Sequence, residues 1–320
     1  MSGFDAVVAN TDQRWFRHFR GQSNYAAVEV DEVNFWRPFA QQEFRALLPG
    51  HPFFFRLKAP IAAIAGFGFF AVEHAVPVPV AWDLFGEKNG TTSPEDFVQR
   101  IDKFRSRPGT ADRVNAKLSC LVLRDAVFLP ESAWVSWQRN EGWSPRVQTY
   151  KRYDLTTAAG SVLTRLLRDN HPAAVPELTP VFHLVESDNR VRIGASIVAR
   201  AGQGTFKLRL LKAYQGRCAV TGEHAVPVLD AAHIQSYLGP SSNHLQNGLL
   251  LRTDLHRLYD SGYVTVTPDF RFEVSRRLKD EFDNGQTYYD LAGRELTVPS
   301  TANARPSVEA LRWHAENVFR

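Results

Sequence analysis

The chain has 320 residues, 44% hydrophobic and 22% charged, with 38 lysines and arginines against 34 acidic residues and a net charge of +4. That composition excludes a disordered or fibrous chain and allows one to three domains, each with an apolar core. The two cysteines, Cys120 and Cys218, lie far apart, which excludes a disulfide framework and fits a reducing compartment.

The basic balance, with a pI of about 9.1, permits a polyanionic partner and equally suits a basic soluble enzyme. The first residues carry no apolar leader. The most apolar stretch, residues 61–80, is interrupted by Gly66, Gly68, Glu73, His74, Pro77 and Pro79, whereas a membrane helix needs about 20 consecutive apolar residues. The expectation is a cytoplasmic protein with no membrane partner.

Residues 11–20 (TDQRWFRHFR) predict a short helix with Trp15, Phe16 and Phe19 on one side. Residues 32–38 (EVNFWRP) are aromatic and closed by Pro38, which predicts a loop or a strand end. Residues 44–48 predict a helical turn before the break at Pro49-Gly50. Residues 53–58, 64–72 and 120–129 predict strands, with Gly66 and Gly68 marking a bulge or a close backbone approach. Ser93 is placed to cap a helix running from Pro94 to about Phe104, with acids in its first turn. Trp134, Trp137 and Trp143 follow in a polar stretch, and the domain closes near Tyr153. Strands interrupted by helices predict an α+β, barrel-like domain.

This half resembles the PUA-like superfamily, which includes EVE and SRA-like domains. The resemblance rests on the strand order and on EVNFWRP (32–38) and PFFFRLKAPIAAIAGFGFF (52–70), and covers about residues 10–155. It implies a domain that takes a modified base, flipped from the duplex, into an aromatic pocket. Phe35, Trp36 and Trp82 are then the stacking candidates, each stacked base being worth about 1–3 kcal/mol, and Asn34 the candidate for reading the base edge. The alternative for each aromatic is a place in the core of a small barrel. An amide beside such a core needs a hydrogen-bond partner.

Residues 155–204 read as a connector. A helix over 156–169 carries an apolar stripe of Val162, Leu163, Leu166 and Leu167, stopped by Asn170-His171-Pro172. A strand is predicted within 191–198, and 201–204 (AGQG) forms a boundary. The expected domains are thus 1–154, 155–204 and 205–320.

Residues 205–214 (TFKLRLLKAY) predict a helix with Phe206, Leu210 and Leu211 inward. Lys207, Arg209 and Lys212, with Arg217 beyond, are candidates for DNA phosphates or simply a solvated face. Residues 226–233 predict a strand ending in Asp230-Ala231-Ala232-His233. Asn247, in an Asn-Gly turn, follows fourteen residues after His233, and His256 nine after Asn247. Leu249, Leu250 and Leu251 form a short strand. Thr253 or Asp254 caps a helix burying Leu255, Leu258 and Tyr259, from which His256 and Asp260 project together at i, i+4. A hairpin turning at Pro268-Asp269 and a closing helix over 306–319 complete the chain; Val308, Leu311, Ala315 and Val318 are predicted inward, Trp313 and His314 off that stripe.

This constellation resembles the HNH nucleases, with their ββα-metal fold, over about residues 205–320. The resemblance implies His233 as the base that activates water, an imidazole being able to accept a proton near neutrality. It implies Asn247 as loop brace or metal ligand, and His256 as metal ligand. Asp230 is the carboxylate ligand provided the strand end bends, since the position before the base is Ala232. Asp260 is a further ligand, a carboxylate behind His256, or the end of its helix. Cys218 lacks the partners of a structural zinc site and reads as core.

Taken together, the resemblances imply an α+β, metal-dependent DNA endonuclease of restriction type. Its expected ion is Mg²⁺ or Mn²⁺, with Zn²⁺, Ni²⁺ or Co²⁺ as alternatives. Its expected partner is double-stranded DNA carrying 5-methyl- or 5-hydroxymethylcytosine. One such centre cuts one strand, so a homodimer is expected. The competing readings are a non-catalytic DNA-binding protein with a degenerate HNH fold, motivated by Ala232, and an RNA-directed PUA-like enzyme.

Overall fold

The computed structural model describes residues 5–21, 26–40, 42–105, 117–170, 182–189, 191–193, 197–199 and 202–320. The chain divides into two units, residues 1–178 and 179–320.

The first unit is built on β1 (Asp5–Thr11), β2 (Val28–Arg37), β3 (Pro52–Leu57), β4 (Ala63–Val76), β5 (Leu118–Phe128), β6 (Val135–Ser136) and β7 (Tyr150–Asp154). The strand order is β2-β5-β4-β3-β1-β7, with β6 on β4. Only β1–β3 is parallel. The aromatic run of β3 explains this architecture. Phe53 and Phe55 point to one side, into a cluster with Trp15, Phe16, Leu123 and Phe128. Phe54 points to the other, into a cluster with Phe67, Trp137 and Leu163. A strand buried on both faces reads as continuous apolar sequence because neither face meets water. Phe35 of β2 and Tyr150 of β7, from opposite ends of the strand order, pack on the same cluster, so the sheet curls around it.

Helices α1 (Gln13–Arg20), α2 (Val78–Phe85), α3 (Pro94–Arg105) and α4 (Ala158–Asn170) complete this unit. Asp12 caps α1 by accepting from the Trp15 N–H at 2.9 Å, and Ser93 caps α3 through Asp96 N–H at 3.2 Å. Gly66 is required by close approach: a Cβ there would stand 2.3 Å from the Val127 carbonyl oxygen. Beside it, the β4–β5 register shifts between Phe67 and Phe69. Two expectations are corrected. EVNFWR is the end of a longer strand than predicted, β2 pairing with β5 from Glu32 to Arg37 and stopping before Pro38, so the loop alternative falls and the strand end stands. Residues 44–48 form no helical turn; Phe44 instead packs on Phe53, Phe70 and Tyr150.

The predicted connector is shared between the units. Leu163 and Leu166 of α4 lie in the core of the first. Residues 182–189 bond to the second: the Phe182 N–H donates to Gln246, Val185 to Gln235, and Asn189 to the Leu238 carbonyl. The predicted strand within 191–198 is a pair, β8 (Val191–Ile193) and β9 (Ile197–Ala199).

The second unit carries α5 (Gln203–Ala213), β10 (Leu229–His233), β11 (Gly248–Arg252) and α6 (Thr253–Asp260). Then come β12 (Val264–Val266), β13 (Phe272–Val274), α7 (Arg277–Phe282), α8 (Gln286–Tyr289) and α9 (Val308–Asn317). β10 and β11 form an antiparallel hairpin, His233 opposite Gly248 and Asp230 opposite Leu251. Residues 226–228 are a 3₁₀ turn rather than strand, because Pro227 has no N–H to give a ladder. Neither Thr253 nor Asp254 caps α6: Asp254 pairs with the Arg252 guanidinium, and Thr253 donates to the Val228 carbonyl. On α9 the buried side holds Ala310, Leu311 and His314, while Val308 is 42% exposed. His314 is drawn inward because Thr265 and the Tyr259 carbonyl satisfy its ring nitrogens, at 2.9 and 3.1 Å.

Candidate functional site

His233 ends β10 with its ring held on several sides. The Phe206 ring of α5 stacks on it at 4.3 Å and 17°. Tyr237 meets it edge-on at 5.7 Å. Its Nε2 lies 3.0 Å from Oδ1 of Asn243. An amide oxygen accepts only, so this contact favours the tautomer with the proton on Nε2 and the lone pair on Nδ1. Phe206 reaches this position because β11 opens on glycine: a Cβ at Gly248 would stand 2.7 Å from its ring.

Asn247 is fully buried. Its Oδ1 accepts from the Gln235 N–H at 2.8 Å, and its Nδ2 donates to the Gln235 and Ser242 carbonyls, each at 3.0 Å. Both ends of the amide are therefore spent on closing the β10–β11 loop. Asn247 thereby braces the loop on which Asn243 stands, the first of the two roles expected for it.

Asp230 and His256 meet from neighbouring elements, since the hairpin places α6 beside β10. Asp230 Oδ2 is 3.6 Å from His256 Nδ1. Asp260 Oδ2 is 3.3 Å from His256 Nε2, on the opposite edge of the ring. Lys207 Nζ stands 3.3 Å from Asp230 Oδ1. The Asp230 carboxyl is held well below the usual carboxylate range, first by the His256 imidazole that faces it, then by Lys207 and Thr253, against the opposing effect of burial. Among the described residues no three His, Cys, Asp or Glu side chains converge on one point.

The remaining basic candidates are not a set. Lys207 is turned to Asp230 rather than to open solvent. Arg209 is half-buried, while Lys212 and Arg217 are exposed; the Arg217 guanidinium reaches the Gly222 carbonyl at 3.5 Å.

Residues 218–267 match the family model of the HNH endonucleases. The chain carries an HNH nuclease domain. No curated protein matches the chain in sequence. Among solved structures, an ASCH protein from Zymomonas mobilis is similar at 14% identity and a TM-score of 0.32, over 50% of this chain and 94% of its own. A mutant form of it gives 10% identity and 0.32, over 52% and 99%. The modification-dependent TagI restriction endonuclease is similar at 14% identity and 0.28, over 100% of this chain and 83% of its own. No helix among the described residues is long and apolar enough to cross a membrane.

HNH nucleases work with a divalent ion, and the donor chemistry here fits one. The 3.6 Å between Asp230 Oδ2 and His256 Nδ1 is long for a hydrogen bond and suits two neighbouring ligands of one cation. A carboxylate and an imidazole leave the remaining positions to water and phosphate, as hard cations at phosphoryl sites require. Asp260, on the far ring nitrogen of the HNH histidine, stands where carboxylates fix the tautomer of a ligating imidazole.

The first unit holds a cavity of about 650 Å³ whose walls include Phe35, Trp36, Trp15, Phe53 and Tyr150, with Asp12 at its rim. Two of the four predicted base contacts are therefore brought together. Asn34 is corrected: it is fully buried, and its Nδ2 donates to Asn89 Oδ1 at 2.9 Å and reaches Cys120 Sγ at 3.3 Å. Trp82 is corrected too, since it packs on Phe97 at 5.9 Å, away from the cavity walls. Trp15 had read only as the apolar side of a helix. Tyr150 carries no local signal, because a strand at the other end of the sheet order delivers it.

Proposed function

We propose that the chain is a divalent-metal-dependent DNA endonuclease of restriction type that cuts DNA carrying a modified cytosine. The observation that carries this is the pairing, within one HNH hairpin-helix unit, of an oriented His233 with the Asp230–His256 pair. His233 Nδ1 accepts a proton from water as its oxygen attacks the phosphorus; the P–O bond to the leaving sugar oxygen breaks, and that oxygen takes a proton from solvent. Asp230 and His256 would hold the ion, with Asp260 behind His256. Mg²⁺ or Mn²⁺ is the expected ion, and it supplies charge stabilisation at the phosphate oxygens.

Selection of DNA is assigned to the first unit. An extruded base needs stacking faces and a few polar groups, and the cavity lined by Trp15, Phe35, Trp36, Tyr150, Asn10 and Asp12 offers both. The division of labour follows the domains read from sequence: a reader over 1–154, a connector over 155–204, and a nuclease over 205–320. Two copies are needed to cut both strands, so the working form is a homodimer.

The test is incubation with Mg²⁺ or Mn²⁺ and matched plasmids with and without 5-methyl- or 5-hydroxymethylcytosine. Cleavage confined to modified DNA is the expected result. Equal cutting of both overturns the selection, and His233→Ala should abolish cutting while DNA binding persists. A second reading, a DNA-binding module without catalysis, draws on Ala232 in place of an acid and on Lys207 occupying Asp230. Calorimetric titration with Mn²⁺ decides it, since that reading requires that no ion bind.

A further inference from the structure

We propose that a polar pocket beside the aromatic cavity is a phosphate site built around Arg56, taking the backbone phosphate of the nucleotide whose base enters the cavity. The inference rests on the base-reading function proposed above.

Arg56 lies on β3 between core residues and is 7% exposed. Its Nε donates to the Trp137 carbonyl at 2.9 Å and its Nη1 to Asn10 Oδ1 at 3.0 Å. Its guanidinium carbon stands 4.5 Å above the Trp143 ring. All three partners are neutral. No carboxylate of the described residues pairs with it, whereas Arg37, Arg100 and Arg152 pair with Glu73, Asp12 and Asp5. Buried cations are ordinarily paired, because desolvation of an unpaired charge is costly. Burial accordingly pulls this guanidinium below its usual range, with Tyr153 opposing.

The pocket beside it has a volume of about 600 Å³ and is also lined by Lys58 and Arg139. Its one acid, Glu141, accepts from the Gln138 N–H at 2.8 Å. Three cations thus face one carboxylate, an excess that suits a dianionic or bridging phosphate. Asn10 and Lys58 line both this pocket and the aromatic cavity, so the two adjoin. The arrangement is nucleotide-like: rings for a base on one side, a rigid guanidinium fork and an ammonium for phosphate oxygens on the other. Phosphate contacts position a strand while base contacts select it, so this pocket would fix the backbone from which the base is turned out.

The test uses the full chain in metal-free buffer and fluorescence anisotropy on duplexes with one 5-methyl- or 5-hydroxymethylcytosine. A parallel set carries a neutral methylphosphonate at single positions flanking that base. Lys58 and Arg139 are exposed, so the double variant Lys58→Ala, Arg139→Ala leaves the core intact. The variant should bind the modified duplex about tenfold more weakly. Its salt dependence should fall by about one to two in slope. One methylphosphonate position should cost the parent a similar factor and the variant almost nothing. Arg56→Lys, which keeps the charge but loses the fork, should weaken binding with an unchanged melting temperature. An unaltered slope, or the same methylphosphonate penalty in parent and variant, overturns the phosphate site while a preference for modified DNA would leave the base-reading function standing. Absence of that preference in the parent overturns the base-reading function, and this proposal with it.

Discussion

His233 Nε2 and Asn243 Oδ1 are 3.0 Å apart, and on the proposed reading this contact sets which nitrogen of the His233 imidazole takes the proton. Asn243→Leu removes the acceptor. The expected outcome is a fall in kcat of about tenfold or more with little change in KM. Asn243→Asp keeps an acceptor and adds a negative charge, which favours the imidazolium. Its activity should therefore rise with pH later than the parent's. A pH–rate profile on each variant checks both, and an unmoved profile in Asn243→Asp would place the orienting contact elsewhere.

The two carboxylates around His256 should behave differently in metal titrations. Asp230→Asn should lose most Mn²⁺ affinity, because it removes the anionic donor facing Nδ1. Asp260→Asn should lose about ten- to a hundredfold, the usual cost of a group behind a ligating histidine. Lys207→Met should bind Mn²⁺ more tightly than the parent, since it removes a positive charge 3.3 Å from Asp230. Isothermal calorimetry ranks all three, and equal losses for both aspartates would mean that they share the ion.

Trp36→Ala should reduce the preference for modified over unmodified DNA by about tenfold, from the lost stacking face. Trp82→Ala should leave that preference intact and cost stability alone, because Trp82 packs on Phe97. Competition binding with matched duplexes separates the two.

His314 is 2% exposed, and burial pulls its imidazole down to about 4, with its bond to the Tyr259 carbonyl opposing. An unfolded histidine titrates near 6.5, so protons favour the unfolded chain below that value. Its contribution is constant above pH 6.5, declines as pH falls, and is fully lost near pH 4, a change of roughly 3 kcal/mol. Thermal melts at pH 7, 5.5 and 4 on the parent and on His314→Phe test this. The variant should be less stable at pH 7 and lose less between pH 6.5 and 4. Parallel curves would exclude His314 as the source.

The candidate nuclease centre was legible as a cluster because its groups are near in sequence: an i, i+4 pair on one helix and a histidine ending an apolar strand. Asn243 was not, since it sits in a polar loop whose shape depends on the buried Asn247 amide. The resemblance gave the right family and left the use of that amide open between loop brace and metal ligand. In the first unit Phe35 and Trp36 were legible as adjacent aromatics. Asn34 misled, because in a strand its side chain points opposite to Phe35 and into a buried network with Asn89 and Cys120. Arg56 was hidden within PFFFRL, where one charge among core residues looks like a strand end. His314 was misplaced because an amphipathic stripe is read from apolar letters, and a histidine with both nitrogens satisfied is buried like one.

The groups proposed to cut, from Asp230 to Asp260, occupy one unbroken piece of chain, whereas the cavity proposed to read the base draws on β1, β2, β3 and β7. The two halves are therefore open to different kinds of change over evolutionary time. The first can be inherited or exchanged as a cassette, its chemistry intact in whatever context it lands. The second can alter its taste in DNA only by concerted substitution across a whole sheet, so new specificities should arise by swapping readers more readily than by remodelling one.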